Sequence, residues 1–374
     1  MSRVRASTAQ GATFVELFFD LVFVYAVTQL TSLVLHDLTW GGLGQAALLF
    51  WLVWWAWTQF TWTLNLADTE HAWVRLPTLA ATAVAFFLAQ SVPDAFGDAG
   101  AWFAASYVVV RLIGLGVQAW VIGSDQLDAL VRWASLSLVG IGLVLIGGFV
   151  APELRVWLWL GALLADLVSA VRAARGVWVL EPGHFAERHG LIVIIALGES
   201  LIAAGVASSG VARGLMFAAT TGGAVIATCA LWWTYFGTLH GRLEERMAQQ
   251  TDATRGAFAR DVFSFWHAAV VAGVIGVAVA FEEAIAHPDE ALSTGAALAL
   301  TVGAGLFLGG LAASSARARV REAVVPRALV AMTALAATPL IPHIPAWGAL
   351  WGLATLIVAM DVIEARRLDR LSAV

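Results

Sequence analysis

Twelve stretches of apolar sequence, most of them about as long as a bilayer is thick, dictate what this chain can fold into. A helix rises ~1.5 Å per residue, so a hydrocarbon core ~30 Å thick takes about 20 apolar residues to cross. Residues 13–35, 42–65, 75–92, 100–122, 129–150, 154–171, 189–208, 214–237, 259–282, 291–313, 324–341 and 345–363 reach or approach that length. Turn chemistry separates them, as in Ser91-Val92-Pro93-Asp94, Glu181-Pro182-Gly183 and His287-Pro288-Asp289. In lipid each backbone N–H and C=O must be satisfied within its own segment, so runs of this length become helices. The expectation is an all-α polytopic integral membrane protein with about 12 transmembrane helices, the lipid bilayer being its first partner. Only 13% of the 374 residues are charged and 60% are hydrophobic, against roughly 25% charged in a soluble domain, which excludes a water-soluble fold.

Arginine placement orients the spans, because loops kept on the cytoplasmic side carry the basic excess. The chain has no lysine, and its 21 basic residues are arginines. With twelve spans, all but three of them fall in the two tails and the even-numbered loops, among them Arg75, Arg132, Arg188 and Arg327. Arg155 and Arg213 fall on the other side, and Arg111 lies inside the fourth span. Both termini are therefore expected in the cytoplasm, in the plasma (cytoplasmic) membrane. Ten mostly polar residues precede a full-length first span with no small-residue cleavage site, which reads as an anchor and not a signal peptide.

The first and seventh spans align without a gap, Glu16 to Val24 against Glu187 to Ile195, and twelve residues past each glutamate stand Thr28 and Glu199. Trp54-Trp55-Ala56-Trp57 aligns with Trp232-Trp233-Thr234-Tyr235. An offset of six spans keeps the same orientation, so the chain reads as a parallel 6+6 internal repeat, residues 1–178 and 179–374. Transporters are commonly built this way, with sites near the bilayer midplane between repeats.

Charged side chains within a span cost about 2.5–3.5 kcal/mol each on insertion scales, so they are candidates for function. Glu16 and Asp20 lie four apart on one face of the first helix; the plain alternative is a helix-end charge and an interhelical hydrogen bond. Glu199, flanked by Gly198 and Ser200, lies near mid-depth of the seventh span, and Arg111 is equally deep in the fourth. We expect these two to pair, as a fixed ion pair or a gated one. His267 could relay protons, or simply hydrogen-bond one neighbour. Glu187 is the position in the second repeat that aligns with Glu16. Asp166 lies near the inner end of the sixth span. The stripe Trp51, Trp54, Trp55, Thr58, Trp62 reads as an interface anchor, with a substrate-stacking wall as the alternative.

Several classes are excluded. His184, Glu187 and His189 match no HExxH metal motif, and Cys229 is the single cysteine, so no metal is expected. No P-loop or GxGxxG pattern precedes a soluble helix, so no cofactor is expected, and nothing suggests nucleic-acid binding. The hydrophilic stretch 238–258 is too short for a soluble-type catalytic domain.

The run Val15-Glu16-Leu17-Phe18-Phe19-Asp20-Leu21-Val22-Phe23-Val24, with Trp54-Trp55-Ala56-Trp57 and the segment from Glu187-Arg188-His189-Gly190 to Leu197-Gly198-Glu199-Ser200, resembles the bacterial low temperature requirement protein A (LtrA) family. That resemblance implies a role in growth in the cold and specifies no biochemical activity. Phe18-Phe19-Asp20-Leu21-Val22-Phe23 is also similar to the pore-helix signature of the endolysosomal two-repeat potassium channels, which have serine where Phe19 stands; it implies ion passage.

The leading expectation is a transporter or channel for a small solute or ion, with proton coupling, whose pathway includes Glu16, Asp20, Arg111, Glu187, Glu199, Ser200 and His267. No catalytic residue is assigned. An integral-membrane enzyme on a lipid-soluble substrate and a non-transporting factor for cold growth are the alternatives. The residues leave the oligomeric state open, a homo-oligomer included.

Overall fold

The computed structural model describes residues 11–122, 126–173 and 176–372, with side chains as far as Arg367. Its described regular structure is helical throughout, and the one bridge outside the helices links Ala291 to Pro345. The first repeat as read from the sequence comprises α1 (Phe14–His36), α2 (Trp40–Leu64), α3 (Ala72–Gln90), α4 (Gly100–Val121), α5 (Leu127–Gly148) and α6 (Pro152–Ala173). There follow α7 (Pro182–Ala207), α8 (Leu215–Trp232), α9 (His240–Ala248), α10 (Asp252–Ala259), α11 (His267–Ala286), α12 (Thr294–Arg317), α13 (Arg321–Ala336) and α14 (Ala346–Ser372).

Ten of these segments are long and apolar enough to cross a membrane. Two more complete the expected twelve. Trp40–Leu64 has 25 residues, but its tryptophans, threonines and glutamines lower its mean hydropathy. Arg321–Ala336 has 16 and stops short because the chain turns before Pro339 and Pro342. The stretch 238–258 is not the loop expected. Trp233–Gly237 and Arg260–Trp266 are π-helical turns that carry α8 toward α9 and α10 into α11, so most of this hydrophilic stretch is helix. Such π turns widen the hydrogen-bond ladder and recur at functional sites. Pro152 and Pro182 stand at the first position of α6 and α7, where a missing N–H leaves no bond unmade.

The helices form two compact units. The first holds α1 as far as Leu33, residues 40–189 and residues 247–260. At its centre runs α2, buried without a break from Leu52 to Thr61. Trp54 and Trp55, read from the sequence as interface anchors, are 3% and 4% exposed, so this stretch of the helix is enclosed by protein. Arg155 is no loop residue: its guanidinium is buried and donates to the carbonyls of Ala95, Gly97, Gly147 and Val150, tying two turns together. Outward faces are apolar, as Trp157, Leu164 and Val168 on α6 illustrate. This is the surface a bilayer requires.

The second unit holds residues 34–39, 190–246 and 261–374. Its tightest contact is between α11 and α12. A Cβ on Gly303 would lie 2.7 Å from the Val277 amide nitrogen and 2.8 Å from the Gly273 carbonyl oxygen, so the backbones touch there. Without a hydrophobic drive between helices in lipid, such close approach of small residues supplies the packing energy. Ser293 caps α12, its hydroxyl accepting from the Ala296 amide.

Candidate functional site

Two buried arginine–carboxylate groups organise the polar interior of the first unit. The sequence places Arg188 in a loop, but α7 begins at Pro182, seven residues earlier than its apolar run, which carries Arg188 nearly two turns into the helix. Its guanidinium is 1% exposed. Nη1 donates to Glu16 Oε1 at 2.6 Å, while Nη2 and Nε take Asp20 in a fork at 2.6 and 3.1 Å. Glu16 and Asp20 are themselves fully buried. Trp57, from α2, adds its indole N–H to Asp20 Oδ1 at 2.7 Å. The backbone N–H and the hydroxyl of Thr13 both donate to Glu16.

His184, one helical turn before Arg188, completes the group. Its Nε2 lies 3.1 and 3.2 Å from the two Glu16 oxygens, and its Nδ1 lies 3.2 Å from the Asn65 carbonyl. Both ring nitrogens therefore face acceptors. A neutral imidazole has one N–H, so this geometry requires one further proton, on the ring or on Glu16. Charge demands the same: two carboxylates share one guanidinium in an interior where an uncompensated charge is strongly unfavourable. Asn65 fixes the histidine by bonding Glu181 in both directions, and a Glu181 oxygen caps the His184 amide. His189 donates from Nδ1 to the Phe185 carbonyl and packs edge-on against Trp57.

The second arginine, Arg111 on α4, is fully buried and does pair with an acid, but with Asp166 on α6 rather than Glu199. Nη2 and Nη1 reach Asp166 at 3.2 and 3.4 Å; Nε donates to Gln59 at 2.5 Å; Ser137 and the Tyr107 hydroxyl take the remaining N–H groups. Gln59 returns its amide N–H to the Arg111 carbonyl at 2.9 Å. Gly114 makes room for this, since a Cβ there would lie 2.7 Å from the Gln59 amide nitrogen. One charge meets one charge, with no proton left over.

The other expected residues lie elsewhere. Glu187 is exposed and accepts from the Ala12 amide. In the second unit Glu199 is 7% exposed, and Ser200 beside it donates to the Leu197 carbonyl. His267 is buried at the end of the π turn, with Nδ1 facing the Val262 carbonyl and Nε2 facing the Tyr235 hydroxyl, each at 2.8 Å. A donor on one side and an acceptor on the other fit a neutral ring, so His267 acts as a hydrogen-bonded neighbour of Tyr235. Among the described residues no group of three or more His, Cys, Asp or Glu side chains is placed to hold a metal ion.

Arg188, His184 and Trp57 were not among the site residues expected from the sequence, nor were Thr13 and Asn65. A signal was present. Glu16 and Asp20 are four apart on α1, and His184 and Arg188 are four apart on α7, so each pair forms a stripe that can meet the other. The contacts join 16 to 184 and 20 to 188, so the two helix starts run in the same direction.

Membrane-length helices around buried arginine and carboxylate groups define a polytopic helical membrane protein with an ionisable interior. The chain belongs to the bacterial low temperature requirement A (LtrA) family, whose model, described as bacterial low temperature requirement A protein, matches residues 11–362. It is also 30% identical to the uncharacterized protein RA0937 of Rhizobium meliloti (strain 1021), over 97% of this chain and 91% of that one. No solved structure matches it.

Proposed function

We propose that this protein is a proton-coupled membrane transporter for a small solute or ion, working in the cytoplasmic membrane with both termini inside. The observation that carries the reading is the Arg188 group: two buried acids, one guanidinium, and a histidine whose two nitrogens both face acceptors. Ionisable groups at membrane depth commonly mark proton or ion pathways. A proton lost from the His184–Glu16 pair leaves two full negative charges competing for Arg188. A proton gained by Asp20 frees its fork. Either event changes how the guanidinium is shared between the two carboxylates, and that redistribution is the two-state element coupling requires.

The parallel repeat supports the same reading. Trp57 and Tyr235, which occupy aligned positions, each hydrogen-bond an ionisable side chain from another helix, Asp20 and His267 respectively. The bias of arginines to one side survives the removal of Arg188 and Arg327 to the interior, and it is the basis for placing the termini in the cytoplasm.

The test is flux in proteoliposomes under an imposed pH gradient, over a panel of cations, anions and small neutral solutes. Gradient-driven uptake of at least one of them, abolished in Glu16→Gln, is expected. Folded protein that moves no solute and no protons across the panel would overturn the proposal.

A further inference from the structure

A third arginine–carboxylate pair is buried in the second unit, and a second carboxylate stands one turn away from it. Arg327 on α13 is fully buried. Its Nε and Nη2 hold Glu364 at 3.0 and 2.9 Å, Nη2 also donates to the Thr238 hydroxyl and the Thr234 carbonyl, and Nη1 faces Ser315 at 3.5 Å. Glu364 thus neutralises it. One turn earlier on α14 stands Asp361, 5% exposed, whose two oxygens lie 2.9 and 3.1 Å from a single atom, the Thr234 hydroxyl oxygen. That same hydroxyl lies 2.9 Å from the Ala230 carbonyl.

A hydroxyl has one proton to give. If Thr234 donates to Ala230, as a threonine inside a helix does, an ionised Asp361 receives no hydrogen bond from the described residues. If it donates to Asp361, a full buried charge rests on one neutral donor. The charged groups around it are Arg327, already taken, and Glu364, which repels it. We infer that Asp361 binds a proton and stands as a carboxylic acid, donating to the Thr234 oxygen, which donates in turn to the Ala230 carbonyl. Each hydrogen in that chain then has an acceptor and no full charge is left buried. A metal cation would need a shell of several oxygens, and among the described residues the Asp361 carboxylate, the Thr234 hydroxyl and the Ala230 carbonyl are those that converge here. The site is a second proton-holding position, in the opposite unit from His184. It does not depend on the transport reading.

Infrared spectroscopy of the full chain in lipid nanodiscs at neutral pH tests this without any flux measurement. A carboxylic-acid C=O band should be present, shift on exchange into D2O, vanish in Asp361→Asn and move in Thr234→Val, where the acid loses its acceptor. It should not change when sodium chloride replaces choline chloride. If Asp361→Asn does not fold, Asp361→Glu and Thr234→Val carry the test. A spectrum in which none of these variants alters an acid band would overturn the inference, as would a band that appears only on removing sodium.

Discussion

The Arg111 and Arg188 groups lie in one unit, are equally buried and use the same chemistry, yet they differ by one carboxylate. Around Arg111 one acid meets one base, and neutral Gln59, Ser137 and Tyr107 fill the remaining hydrogen bonds. Around Arg188 two acids meet one base, and a histidine carries the difference. The first arrangement has a single satisfied state. The second has more than one way to place its proton, because His184 and Glu16 lie within hydrogen-bond distance and either can hold it. A closed ion pair fixes helices, whereas an unequal group can respond to protons.

That contrast can be broken by experiment. The largest effect is expected from Arg188→Gln, which strands two buried acids. Breaking a buried pair from one side costs about 3–5 kcal/mol, so thermal unfolding in detergent should show at least that loss, or no folded protein. Arg111→Gln and Asp166→Asn should each cost about 3–5 kcal/mol in the same measurement, while the double variant recovers most of it. Strict additivity of the two would show that they are not a closed pair. His184→Gln keeps the side-chain size but removes the proton site; about 1–3 kcal/mol of stability should go with its hydrogen bonds, and the pH dependence of flux should flatten. An unchanged pH profile would move the coupling proton elsewhere. Trp57→Phe removes one bond to Asp20 and should cost about 0.6–1.7 kcal/mol, the range for interhelical hydrogen bonds in membranes. Glu187→Gln, at an exposed carboxylate, should stay within about 0.5 kcal/mol; a larger loss would mean that the N-terminal contact with Ala12 matters more than the buried groups suggest.

Much of the scaffold could be read from the chain. The apolar runs located twelve helices, usually within three residues of their ends, because hydropathy is a local property and bilayer thickness fixes the length. Asp20 and Glu16 were legible for the same reason: a charge is conspicuous where its neighbours are all apolar. Arg188 and Arg327 were not. Arg188 stands before its apolar run and Arg327 at the start of one, and the arginine count that orients the spans assigns both to the cytoplasmic side.

The sequence by itself determined a helical membrane protein of about twelve spans and marked the first, fourth, sixth and seventh of them as carrying charge inward. Tertiary structure alone decided the partners: Asp166 for Arg111, Glu16 and Asp20 together for Arg188, Glu364 for Arg327. Spacing along a helix says which side chains share a face, but pairing across helices depends on rotation and depth. Those are set by contacts as distant in sequence as Gln59 with Arg111 or His184 with Glu16. A buried charge takes the nearest opposite charge that this packing allows.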